Sequence, residues 1–105
     1  MGIPKENTAT DQLQLEDLKL AGSIFRAINH PLRLNIVRLV DEFERLTVTQ
    51  IYFKLRIEQS VASQHLAILR ESEILIATRD GKHIYYALNH QRMQAIVRCI
   101  DTLKD

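Results

Sequence analysis

A mainly α chain with one small β-hairpin, in the order α-α-α-α-β-β-α, is what this sequence predicts. Three observations carry the prediction. Residues 59–70 place Ala62, Leu66 and Leu69 at i, i+4, i+7, the single buried stripe of an amphipathic helix. The other face of that helix shows Gln59, Ser60, Ser63, Gln64 and Ala67, all short and uncharged. A merely solvated helix usually carries Lys and Glu there. A helix lying in a major groove needs small residues for close approach and amides or hydroxyls for base edges. The helix then runs into two β-rich stretches, Ile74–Thr78 and His83–Leu88, joined through Asp80-Gly81, a strong two-residue hairpin signal. Arg79, Lys82 and His83 surround the hairpin tip, where cations can touch phosphate. A helix followed by a basic hairpin is the pattern of a winged helix-turn-helix, and it implies contact with double-stranded DNA.

The remaining elements follow in order. Residues 1–11 are polar and are expected to be a disordered tail, leaving 12–105 as one DNA-binding and dimerisation domain. From about Leu13 to Ile28, Leu18, Ala21, Phe25 and Ile28, with Leu20 and Ile24, describe one broad helical stripe. Asn29-His30-Pro31 breaks it, and Pro31 suits the first turn of a second helix. That helix, Leu32 to about Glu42, has Leu32, Ile36, Leu39 and Val40 on one face and Arg33 and Arg38 outward. A loop around Glu44–Leu46 leads to Thr47, an N-cap with Gln50 completing a capping box, and a short helix over Val48–Leu55. The turn Arg56-Ile57-Glu58 gives helix-turn-helix spacing to the polar-faced helix. A last helix, His90 to about Leu103, has Met93, Ile96, Val97 and Ile100 on one face.

Composition bounds the class. At 105 residues and 46% hydrophobic, the chain supports one domain with a modest core, burying roughly 60–70% of its unfolded surface. The apolar stripes of the first and last helices exceed what such a core can take, so Leu18, Ala21, Phe25, Met93, Ile96, Val97 and Ile100 are expected to form a homodimer interface. The single Cys99 excludes an intramolecular disulfide and makes a reducing, cytoplasmic compartment the expectation. No apolar run approaches the roughly 20 residues that span a bilayer, and the N-terminus lacks the apolar core of a signal peptide. Net charge is +1, with the basic excess confined to residues 51–105, which hold 8 basic and 6 acidic side chains. That permits nucleic-acid binding without arguing strongly for it. Catalysis has no foothold: there is no Gly-rich phosphate loop or nucleophile elbow, and Glu71 and Glu73, at i and i+2, do not share a helix face.

Three blocks in order closely resemble the ArsR/SmtB family of small dimeric winged-helix repressors. Ala27, Ile28, Asn29, His30, Pro31 and Arg33 match the start of its second helix. Gln59, Ser60, Ser63, His65 and Leu66 match its recognition helix, and Arg79, Gly81, Lys82 and Tyr86 its wing. The resemblance covers about residues 18–104 and implies a sequence-specific transcriptional regulator, a repressor binding an imperfect palindrome as a dimer. Arg56 and Glu73 stand where the family often has Gly for a left-handed cap, which leaves the local turn geometry open.

The family's metal sites are not matched. Thr47, Val48 and Thr49 occupy the Cys-Val-Cys position, and hydroxyls are poor ligands for soft metals. His90 and Arg92 occupy the early pair of the final helix, and Arg92 cannot ligate a cation. No metal and no cofactor is therefore expected, and an unidentified small-molecule effector is left open.

Bland readings stand beside several of these residues. His65 borders stripe and polar face and either packs or touches phosphate, with phosphate favoured. Arg70 either meets phosphate or complements the helix C-terminus. His30 is read as a structural cap of the second helix. His83 is read as solvated or near phosphate, and Cys99 as an inert thiol, an intersubunit redox role being the alternative. Of Tyr85 and Tyr86, one faces in and one out. The competing function is a winged helix used for protein–protein contact or dimerisation alone, for which apolar residues would be expected at 59–67.

Overall fold

The computed structural model describes the backbone of residues 5–104, with side chains over 15–16, 18–98 and 101. The chain runs α1 (Lys5–Ile28), α2 (Pro31–Phe43), β1 (Leu46–Thr47), α3 (Val48–Leu55), α4 (Gln59–Glu71), β2 (Leu75–Asp80), β3 (His83–Leu88) and α5 (His90–Lys104). Helix α1 begins at Lys5, within the polar segment expected as a tail; residues 1–4 lie outside the described residues. The stretch 5–11 holds no Gly or Pro, and once a helix is nucleated each added residue gains a hydrogen bond.

Each boundary has a local cause. Asn29-His30 ends α1, and the His30 Nδ1 accepts from the Leu32 N–H at 3.2 Å with Pro31 in the first turn, the expected cap of α2. Thr47 and Gln50 form the expected capping box: the Thr47 hydroxyl accepts from the Gln50 N–H at 3.2 Å, and the Gln50 Oε1 from the Thr47 N–H at 2.9 Å. Asn89 caps α5 by accepting from the Arg92 N–H at 3.1 Å.

The three strands form one antiparallel sheet in the order β1-β3-β2. β1 was expected as loop. Two residues are too short to show a period-2 pattern, and Leu46 and Thr47 become strand because the edge of β3 at Tyr86 and Tyr85 pairs with them. Asp80 pairs with His83, so the two-residue turn is Gly81-Lys82 and not Asp80-Gly81. Gly81 has φ 65°, and Lys82 is not among the residues of positive φ, the combination that places Gly first in a II′-type turn.

The core is wholly apolar among the described residues. Ile24 and Ala27 from α1, Ile36 and Val40 from α2, Leu46, Ile51, Leu66, Leu69, Ile74 and Leu75 form one buried cluster. The broad stripe of α1 divides on it: Ile24 and Ala27 are buried and Leu20 and Ile28 pack alongside, whereas Leu18 and Phe25 face away, Phe25 62% exposed. The face expected on α5 divides likewise, Met93 and Ile96 against the core and Val97 outward. The side chains of Cys99 and Ile100 lie outside the described residues. No helix among the described residues is long and apolar enough to cross a membrane.

Candidate nucleic-acid interface

The helix-turn-helix comprises α3, a three-residue turn and α4. Its turn keeps the geometry that Gly would favour. Arg56 adopts φ 57°, its N–H donating to the Phe53 carbonyl at 3.3 Å while the Ile57 N–H reaches the Tyr52 carbonyl at 3.1 Å. Helix α4 ends in the same way. Glu73 has φ 58°, its N–H donates to Arg70 O at 2.9 Å, and the Ile74 N–H donates to Leu69 O at 3.0 Å. Both are Schellman closures with a non-Gly residue in the left-handed position, a conformation costing roughly 1–2 kcal/mol for an ordinary side chain. At Glu73 three interactions offset that cost. Ile74 is completely buried, the Asn89 Nδ2 donates to the Glu73 carbonyl at 3.0 Å, and Arg92 pairs with the Glu73 carboxylate at 2.7 Å.

These closures set the angle of α4, whose apolar stripe Ala62, Leu66 and Leu69 is fully withdrawn. Gln59, Ser60, Ser63, Gln64 and Ala67 are exposed, as is Arg70 in the last turn. The Glu58 side chain makes no capping bond, leaving the first N–H groups of α4 open to an anion. Ser63, Ala67 and Arg70 border an open cleft whose far wall includes Val48 and Tyr86.

The wing's register separates residues that the sequence reading had grouped. Arg79 pairs with Ile84, on the sheet face of Leu75, Ala77, Tyr86 and Leu88 that packs on the helices. His83 pairs with Asp80 on the opposite face, and Lys82 sits in the turn itself. All three are exposed. Arg79 is thus placed on the same side of the sheet as α4, and His83 behind it. Tyr86 points inward and Tyr85 outward, as expected.

His65 is the exception on α4. It is half-buried, its Nδ1 accepts from the Arg33 Nε at 3.1 Å, and its ring lies 4.8 Å from that of His30. Arg33 also donates to the Ala27 carbonyl at 3.0 Å. This corrects one expectation, since Arg33 does not point outward; of the two readings of His65, packing is met through Nδ1, a bond that does not bear on the phosphate contact. Together they tie the end of α1 and the start of α2 to α4. An outward Arg and a border His are indistinguishable from sequence periodicity, because the contact spans 32 positions.

Burial holds the His65 pKa below the ordinary 6.5, helped by the charges of His30 and Arg33. The unfolded chain therefore binds this proton more readily than the folded one. Stability is unaffected well above pH 6.5 and falls as the pH drops below it toward the folded value. Thermal melts of wild type and His65→Gln between about pH 8 and pH 5 are expected to show the wild type losing Tm more steeply on acidification. Parallel curves would remove His65 as the titrating group.

The three-stranded wing, the helix-turn-helix and the uncharged outer face of α4 define a winged-helix DNA-binding protein. The chain matches the family described as "Bacterial regulatory protein, arsR family" over residues 30–77, from the cap of α2 into β2. It is 32% identical over 94 residues to the transcriptional repressor PagR of Bacillus anthracis, spanning 90% of this chain and 91% of that one. The crystal structure of PagR superposes with a TM-score of 0.66 at 34% identity, covering 85% and 98% of the two chains. An ArsR-like regulator from Rhodococcus sp. RHA1 reaches a TM-score of 0.78 over 83% and 81% of the chains at 15% identity, which speaks to fold alone. The chain belongs to the ArsR family and is a DNA-binding transcriptional regulator.

Proposed function

We propose that this regulator is a repressor that binds an imperfect palindrome in double-stranded DNA as a homodimer in the cytoplasm, each subunit laying residues 59–70 of α4 in a major groove. The observation that carries this reading is the exposed run Gln59, Ser60, Ser63, Gln64 and Ala67. Over residues 59–67 this face carries no Lys or Glu, Glu71 following only in the last turn, and it stands beside a wing bearing Arg79 and Lys82. Ser63 and Gln64 read base edges, Arg70, Arg79 and Lys82 meet phosphate, and His83 lies near the backbone from the rear of the wing. Two-fold symmetry sets the half-sites about one helical turn apart.

The dimer forms through the outer faces of α1 and α5, where Leu18, Phe25 and Val97 stand 40%, 62% and 55% exposed. Leu15 at 53% extends the same apolar surface. Ala21, Met93 and Ile96 are half-buried and contribute their remaining area. Control by metal at the two family positions is not part of the reading. The Thr47 hydroxyl is engaged in capping α3, and Arg92 is engaged with Glu73. An unidentified small-molecule effector is compatible with it.

The test is discrimination between DNA sequences. With an operator located by genomic footprinting of the purified protein, Ser63→Ala and Gln64→Ala are each expected to narrow the gap between operator and random DNA. The cost is roughly 1–3 kcal/mol where the lost contact is bidentate and less for a lone hydroxyl. Full discrimination by both variants would show that α4 does not read bases at these positions.

A further inference from the structure

The α2–β1 connection makes an interaction with the wing that the functional reading above does not use. Glu44 closes α2 with φ 70° and turns the chain so that Arg45 faces the hairpin. The next two residues, Leu46 and Thr47, are fixed to β3, which gives Arg45 an anchored base. Its guanidinium lies 4.1 Å over the Tyr85 ring, and its Nη1 is 3.3 Å from the Asp80 Oδ2. Asp80 is the last β2 residue before the Gly81-Lys82 turn. β1 reaches β3 only at Tyr85 and Tyr86, so Arg79–Ile84 carry the hairpin beyond the third strand.

We infer that Arg45 is a positioning residue for the wing, holding the Asp80 carboxylate from behind so that Arg79 and Lys82 stand toward phosphate. The inference rests on the reading of the wing as a phosphate contact. An unpaired Asp80 would leave a bare carboxylate beside the turn, one position from Arg79 and two from Lys82, repelling phosphate within a Debye length of about 8 Å. Paired with Arg45, its charge is balanced on the sheet face opposite Arg79. Both partners are more than half exposed, so the ion pair itself adds little to folding stability and Arg45 variants should fold. The stacking on Tyr85 restricts where the guanidinium sits, which a Lys at this position would do less well.

A double-mutant cycle on the full chain tests it, with DNA affinity measured at fixed salt by fluorescence anisotropy and Tm measured alongside. Arg45→Ala is expected to weaken binding to operator and random DNA alike by about 5-fold per dimer, and by under about twofold when Asp80→Asn is already present. Equal losses in the two backgrounds would make Arg45 a phosphate contact in its own right and overturn the positioning role. A fall in Tm with affinity intact would reduce it to a structural contact and overturn the role too. Arg79→Ala with Lys82→Ala is the reference. If that pair leaves affinity unchanged, the wing reading fails and this inference with it. If the pair loses affinity while the Arg45 cycle shows no coupling, the inference alone fails.

Discussion

Replacing Arg79 and Lys82 together with alanine is expected to weaken binding to operator and random DNA by the same factor, about 10²–10³ near 0.15 M salt. The magnitude follows from counterion release. Each phosphate contact contributes about 0.9 to the slope of log affinity against log salt concentration, and a two-fold dimer loses the pair twice. The slope should therefore fall by about 3–4 units. Register sharpens the expectation. Arg79 lies on the helix-packed side of the sheet and Lys82 in the turn, so both are expected to meet backbone flanking the groove proposed for α4. His83, on the opposite face with Asp80, should contribute less. Titrations at several salt concentrations measure both quantities, and an unchanged slope would remove the wing from the interface.

The second large effect is expected at the α1–α5 surface. Phe25 is 62% exposed in the subunit although its neighbours Ile24 and Ala27 are buried, so a substitution there leaves the subunit core intact. Phe25→Glu is expected to convert the proposed homodimer to a folded monomer. An isologous interface repeats the change on both copies, and like charges facing across it cost several kcal/mol. Operator affinity should fall by about 10²-fold or more, since a monomer reaches a single half-site. Light scattering after size exclusion, circular dichroism and DNA titration separate the outcomes. A variant that stays dimeric with full operator affinity would place the interface elsewhere.

Much of the architecture was legible in the residues because its signals are local. The caps at His30 and Thr47, a hairpin at Gly81 and the buried stripe of α4 each depend on neighbours within a few positions, and the structure shows them. The uncharged face of α4 was legible for the same reason: periodicity states which side chains are left over once Ala62, Leu66 and Leu69 are buried. The left-handed turns at Arg56 and Glu73 were not, because their residue types argue against that conformation. At Glu73 it is held by Ile74 burial and by Asn89 and Arg92, 16 and 19 positions away along the chain.

What local pattern settled on its own is thus the class of fold, the helix with an uncharged outer face and the basic hairpin beside it. Packing settled how these act together. The bonding of His65 to Arg33 turned a border residue inward, and pairing with β3 made a two-residue strand that no period-2 pattern announces. The register of that hairpin divided Arg79 from His83, and Arg45 came to bear on Asp80 across 35 positions of sequence. The physical reason is the same in each case. A cap or an amphipathic stripe is fixed by side chains a turn apart, whereas a side chain shared between elements takes its direction from whichever distant partner the folded core brings within hydrogen-bonding reach.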